Sequence, residues 1–259
     1  MRSITLLVLV TLLGACSKAQ DLSLYQKHLF IQNNDTLPYR LLLPENYDSN
    51  KKYPLIFFMH GAGERGNDNE AQLTHGAKLF LRPDIRKAYP AIIVFPQCPR
   101  NSFWSNVKMN IDAAGKRVFV FDKDIPPTLA LQMANGLLTD IMSTYRVQKK
   151  RVYVGGLSMG GMGTFELVWR NPKTFAAAIP ICGGGDPTIA KTVRKTAWWV
   201  FHGAKDDVVP RACSDTMVTA FKANNVPVKY TLYPDADHNS WDAAFAEPAL
   251  LKWLFAQRR

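Results

Sequence analysis

Short, almost wholly apolar runs alternate with amphipathic stretches along most of this chain. Pro54–Met59 (PLIFFM) and Ala91–Phe95 have the length and continuity of buried strands, and Arg151–Gly155, Ala176–Ile181, Ala197–Phe201 and Val228–Tyr233 read as further strands. Lys27–Ile31 and Tyr39–Leu43 read as two further strands, joined as a hairpin around Asn33-Asn34-Asp35. Between the strands lie helical patterns over Ile125–Tyr145, Gly160–Trp169, Ala212–Ala223 and Ala243–Gln257. In the first, Ala134, Leu138, Ile141 and Tyr145 share one face, and Pro126 and Pro127 stand at its start, where proline is tolerated. The alternation predicts an α/β fold: a mostly parallel, twisted eight-stranded sheet with helices on both faces. Ligands of such sheets bind beyond the carboxyl ends of the strands.

Residues 25–259 show no internal repeat, no low-complexity tract and no second hydrophobic pattern, so they are expected to form a single domain. The least regular stretch, about 99–124, reads as an insertion beside the mouth of the site. It holds Phe103-Trp104 and the alternating Val118–Phe121, and a small hairpin would suit it.

The N-terminus has a different character. Met1-Arg2-Ser3 is a short positive start, and the apolar run Ile4–Leu13 falls far short of the roughly 20 residues that span a bilayer. These are the proportions of a signal peptide over residues 1–19. Leu13-Gly14-Ala15-Cys16 resembles a bacterial lipobox, which would make Cys16 the lipidated residue, while Ser17-Lys18-Ala19 offers a competing cleavage site. Both readings place the chain outside the cytoplasm, lipid-anchored in one case and periplasmic or secreted in the other. A membrane partner is expected only through that anchor. In an oxidising compartment two of Cys98, Cys182 and Cys213 could pair. No pair has metal-ligand spacing, and no metal or other cofactor is expected. The net charge of +11 comes without a nucleic-acid-binding motif or basic amphipathic helix, which argues against nucleic acid as partner.

The chemistry centres on Gly156-Leu157-Ser158-Met159-Gly160, which follows the apolar Val152-Tyr153-Val154. Strand, sharp turn and helix with serine at the apex make a nucleophile elbow. On its own the pattern arises by chance in roughly one such chain in twenty, so its partners must decide. A serine hydroxyl needs a base and an oxyanion site. Of the five histidines, only His202 and His238 follow Ser158. His202 closes an apolar strand and reads as a turn support, whereas His238 lies in a loop after the last strand and is the expected base. For the acid, Asp206 and Asp207 are equal local candidates after a strand end. Asp235 and Asp237 sit too close to His238 in sequence to stand behind its ring. Oxyanion donors are expected from the Met159 amide and from the loop His60-Gly61-Ala62-Gly63.

PLIFFMHGAGERG (54–66), FPQC (95–98), YVGGLSMGGMG (153–163), FHGAKDDVVP (201–210) and HNSW (238–241) together resemble the α/β-hydrolase superfamily. The branch they resemble is the extracellular carboxylesterase/phospholipase group related to dienelactone hydrolases and prolyl oligopeptidase catalytic domains. The resemblance spans Leu29 to Gln257. It implies the α/β-hydrolase fold, Ser158 as nucleophile, His238 as base, Asp206 rather than Asp207 as acid, and Ala62 and Met159 as oxyanion donors. Trp241 resembles a family tryptophan beside the base and is a candidate substrate contact; Trp104, in the irregular stretch beside the site mouth, is a second candidate on position alone. The implied reaction is hydrolysis of carboxylic esters through an acyl-enzyme, with small-molecule or polysaccharide esters such as acetyl or feruloyl esters as partners. A prolyl-oligopeptidase-like serine peptidase is the alternative, though no propeller-like pattern accompanies the catalytic one. An inactive hydrolase fold serving as a binding lipoprotein is the non-enzymatic reading.

Overall fold

The computed structural model describes residues 21–259, so the expected leader over 1–19 and the lipidation site Cys16 lie outside the described residues. The strands are β1 Gln26–Gln32, β2 Asp35–Leu42, β3 Tyr53–Met59, β4 Ile92–Pro96, β5 Val107–Ile111, β6 Arg117–Phe121, β7 Val147–Leu157, β8 Ala177–Ile181, β9 Ala197–Gly203 and β10 Val228–Tyr233. The α-helices are α1 Ala77–Leu81, α2 Pro83–Ala88, α3 Leu129–Thr144, α4 Met159–Arg170, α5 Ala212–Ala223, α6 Trp241–Ala246 and α7 Leu250–Ala256. Eight strands form one sheet in the order β1-β2-β4-β3-β7-β8-β9-β10. β2 runs antiparallel to β1 and β4, and every other adjacent pair is parallel.

The side-chain alternation of each strand divides the core in two. On β3, Leu55, Phe57 and Met59 pack with the buried faces of α3, α4 and α5, while Ile56 and Phe58 pack with α1, α6 and α7. The expected sheet with helices on both faces is therefore present. β1 and β2 are joined through Asn33 and Asn34, whose φ values of 52° and 65° suit a tight two-residue hairpin turn that asparagine tolerates.

Several boundaries differ from the sequence expectation, each for a physical reason. The helix expected from Ile125 begins at Leu129, because Thr128 caps it by accepting from the Leu131 amide and the two prolines stay outside. The helix expected over Ala243–Gln257 is two helices, broken around Pro248, which has no N–H to donate. The run Lys149-Lys150-Arg151 is not a connection but lies within β7, where the register with β3 slips between Val147 and Val152. The segment about 99–124 carries a separate antiparallel ribbon, β5–β6, with Met109, Ile111, Val118 and Val120 exposed. Its base is clamped to α4: Glu166 accepts from the Asn106 amide at 2.7 Å, and Arg170 donates to the Ile125 carbonyl at 2.8 Å. Cys98, Cys182 and Cys213 are all free, against the expectation that two could pair. Cys98 follows β4 and Cys182 follows β8, three strand positions and so about 14 Å apart, beyond disulfide reach.

The strand order reverses at β3, with β4 on one side and β7 on the other. The crevice between the loops leaving β3 and β7 is thus the switch point where α/β sheets bind ligands. There the backbones approach so closely that only glycine fits. A Cβ on Gly160 would stand 2.0 Å from the Met59 carbonyl oxygen, one on Gly156 2.4 Å from the Gly160 carbonyl oxygen, and one on Gly161 2.5 Å from the Ile181 carbonyl oxygen. No flexible side chain can yield at these points, because the neighbours are backbone. Gly160→Ala is therefore expected to destabilise by about 1–3 kcal/mol or more. Gly63→Ala, whose Cβ would meet nothing within 4 Å, should stay within about ±0.5 kcal/mol. Urea midpoints of the two variants against wild type measure this.

Candidate active site

Ser158 connects the end of β7 to the start of α4 with φ 53° and ψ −117°, a conformation that costs a non-glycine residue about 1–3 kcal/mol. The neighbours enforce it. The Ser158 amide donates to the Ile181 carbonyl at 2.9 Å, and the Ser158 carbonyl accepts from the Met162 amide at 3.0 Å. The turn leaves the hydroxyl on its crest, partly exposed to solvent.

His238 and Asp206 reach it from two loops that pack on each other. The loop after β10 crosses Gly203, where a Cβ would come within 2.2 Å of the Asp237 carbonyl oxygen, and the Lys205 amide donates to the Ala236 carbonyl at 3.0 Å. The result is a continuous chain of hydrogen bonds. His238 Nε2 lies 2.9 Å from Ser158 Oγ, and His238 Nδ1 lies 2.8 Å from Asp206 Oδ2. A carboxylate only accepts, so Nδ1 carries the hydrogen, and Nε2 is left to accept from the serine hydroxyl. The Asp206 side chain is 0% exposed, and its Oδ1 accepts from the Val208 and Val209 amides at 2.9 and 2.8 Å. Burial opposes its ionisation. The hydrogen bonds from His202, His238 and Val209 outweigh that and hold the carboxyl well below the usual carboxylate range.

The rival acids point elsewhere. Asp207 is exposed, Asp235 pairs with Lys205 Nζ at 2.9 Å, and Asp237 accepts from the Asn239 amide at 3.0 Å.

The loop after β3 runs beside the serine. A Cβ on Gly61 would lie 3.7 Å from Ser158 Cβ. His60 braces this loop: its Nδ1–H donates to the Gly61 carbonyl at 2.6 Å, and its Nε2 accepts from the Cys98 amide at 2.9 Å. Both bonds need a neutral ring, and burial lowers the His60 pKa to about 4. Ala62 opens a one-turn 3₁₀ helix over Ala62–Glu64 and Met159 opens α4, so neither amide has an intrahelical acceptor, and among the described residues neither has any other. Two unclaimed N–H groups therefore flank the serine.

Trp241 stands edge-to-face against His238 at 5.4 Å and packs on His75 at 5.0 Å, half-buried at the rim. Trp104 is different from expectation. It is 0% exposed, its ring meets His60 at 5.4 Å, and Gly163 lies so close that an added Cβ would be 2.5 Å from Trp104 Cβ. It supports the loop after β3 from beneath and offers no surface to a substrate. Two open clefts flank the β5–β6 ribbon: one of about 620 Å³ with Arg65, Arg100 and Phe103, the other of about 470 Å³ with Phe119, Phe121, Pro187 and Pro210.

Sequence reasoning did not foresee two further buried histidine contacts. His60 as a brace had a signal in its place at the end of β3, but its partner, the Cys98 amide, is 38 residues away. His202 sits behind Asp206, with Nε2 3.2 Å from Asp206 Oδ2.

Known proteins share this architecture. A thermostable esterase of known structure superposes with a TM-score of 0.81 at 33% identity, over 92% of this chain and 64% of that one. A ferulic acid esterase from Anaeromyces mucronatus, crystallised with ferulic acid, shares the fold at 15% identity and a TM-score of 0.59, over 88% of this chain and 89% of that one. In sequence, a probable feruloyl esterase C of Aspergillus oryzae is 28% identical over 187 residues. That match covers 72% of this chain and 61% of the relative, so this chain spans somewhat under two thirds of that protein's length. The Esterase family model matches residues 32–225, a span that includes the loop after β3, Ser158 and Asp206. On that match and on its eight-stranded sheet, the chain belongs to the Esterase family and has the α/β-hydrolase fold.

Proposed function

We propose that this chain is an esterase, a serine hydrolase that cleaves carboxylic esters through an acyl-enzyme. The observation that carries the reading is the unbroken relay Ser158–His238–Asp206, 2.9 and 2.8 Å long, beside two amides without acceptors. In the proposed reaction His238 Nε2 takes the serine proton as Oγ bonds to the ester carbonyl carbon. The Asp206 carboxylate stabilises the imidazolium that results. The developing alkoxide is stabilised by the Ala62 and Met159 amides, an electrostatic contribution of the kind worth about 3–4 kcal/mol per donor. His238 then protonates the leaving alcohol. Water, activated by the same ring, cleaves the acyl-enzyme and regenerates the serine.

Polysaccharide-borne acetyl or feruloyl esters are the proposed substrates, in keeping with the relatives named as feruloyl esterases. Trp241 is the proposed wall against the acyl or alcohol group. The site is proposed to work outside the cytoplasm, as the leader over 1–19 suggests, with one catalytic domain over 25–259 and attachment through Cys16 if the lipobox is used.

A fluorophosphonate probe is expected to label wild-type protein and not Ser158→Ala, read by intact mass. Folded wild-type protein that stays unlabelled would sink the proposal. A panel of p-nitrophenyl acetate, methyl ferulate, acetylated xylan and a prolyl amide should show turnover of esters only; faster turnover of the amide would move the assignment to a peptidase.

Asp206→Asn should lower kcat by about 10⁴-fold, whereas Asp207→Asn should leave it within about twofold, because Asp207 faces solvent. Equal losses would contradict the choice of acid.

Stability should follow Asp206 too. Its folded pKa lies below the unfolded value of about 3.9, so its contribution is present above that pH and lost as pH falls below it. The stability deficit of Asp206→Asn should therefore be largest from about pH 5 upward and shrink towards pH 3, as urea titrations across that range would show.

A further inference from the structure

Behind Asp206 the relay does not stop. His202, at the end of β9, is 0% exposed and has a polar partner at every ring nitrogen. Its Nε2 lies 2.9 Å from the Val209 carbonyl and 3.2 Å from Asp206 Oδ2, both pure acceptors, so Nε2 carries a hydrogen. Its Nδ1 lies 2.7 Å from Ser214 Oγ on α5, and that hydroxyl donates to the Gly183 carbonyl at 2.8 Å. Ser214 Oγ thus links the Nδ1 side of the ring to the Gly183 carbonyl, which fixes the ring plane with Nε2–H aimed at Asp206 and Val209.

Asp206 Oδ2 is therefore shared between two imidazoles, His238 at 2.8 Å on the solvent side and His202 at 3.2 Å on the buried side. The other ionisable groups facing this cluster are the Cys182 thiol after β8 and the Cys213 thiol on α5; burial raises both, the latter to about 11, so they stay protonated. Lys205 pairs with Asp235 at the surface.

We infer that His202 is a positioning residue for the ester-hydrolysis reaction, which draws on the charge of Asp206 and so sets how strongly that carboxylate holds the His238 proton. The inference rests on the Ser158–His238–Asp206 reading above. Asp206 does not depend on His202 for its place, because the Val208 and Val209 amides hold Oδ1. Loss of the His202 donor therefore leaves the carboxylate where it is but with more charge on Oδ2. His238 is then kept protonated to higher pH, and as a protonated ring it cannot accept from Ser158.

The test is the pH profile of kcat/KM on p-nitrophenyl acetate for wild type, His202→Leu, His202→Gln and Ser214→Ala, with Ser158→Ala as the blank. His202→Leu should move the acid limb up by about 0.5–1 pH unit, a three- to tenfold change in proton affinity, with plateau kcat lowered less than tenfold. His202→Gln places an amide N–H where Nε2 was and should restore the wild-type limb. Ser214→Ala frees the ring plane, weakens the bond to Oδ2 and should move the limb up by less; it also serves if His202→Leu does not fold. An acid limb unmoved, or moved down, in folded His202→Leu and Ser214→Ala would overturn the role of His202 while the Ser158 reading stands. Wild type no more active than Ser158→Ala would overturn both.

Discussion

The constraint on which the rest depends is the near-contact of three backbones at the end of β7. The Met59 carbonyl at the end of β3, the first turn of α4 and the Ile181 carbonyl at the end of β8 leave no volume for a side chain at residues 156, 160 and 161. That packing turns the chain sharply enough to hold Ser158 at φ 53°. The same turn places the Met159 amide beside the serine and brings the Gly61–Ala62 loop alongside. Ser158 and both unclaimed amides thus share one steric cause. The cost of about 1–3 kcal/mol at a strained residue is small against the burial of strands covered on both faces.

Much of this was legible because the fold's periodicities are strong. The central parallel strands, buried on both sides, read as continuous apolar runs, and the glycines stood at fixed spacing around Ser158. What local sequence left open was direction. Asp206 and Asp207 are chemically identical neighbours, and only the turn that aims the Val208 and Val209 amides at Oδ1 of the first separates them. Resemblance to a family motif had favoured Asp206, and the geometry supplies the physical distinction.

The misreadings share a cause as well. Trp104 looked like an aromatic for substrate because it lies in the irregular segment beside the site, yet the missing side chain at Gly163 opens a slot that swallows it. The two helices over 241–256 looked like one because Pro248 interrupts an otherwise continuous amphipathic pattern. α1 and α2 are too short for their periodicity to rise above that of a loop. His202 does support the turn through the Val209 carbonyl, as expected, but its contacts with Ser214 and Asp206 went unforeseen, since these become neighbours only when α5 folds back on β9. In each case the deciding contact lies outside the local window.

The contacts that close the elbow are also remote in sequence. Residues 59, 160 and 181–183 must all be in place before a serine at residue 158 can be held at positive φ. Closing loops of that length is slow and comes with late sheet assembly. Partly folded chains, however much secondary structure they contain, lack the strained turn. The strained turn thus requires β3, β7 and β8 to be paired, and the backbone of Ser158 is a report that the centre of the sheet has formed.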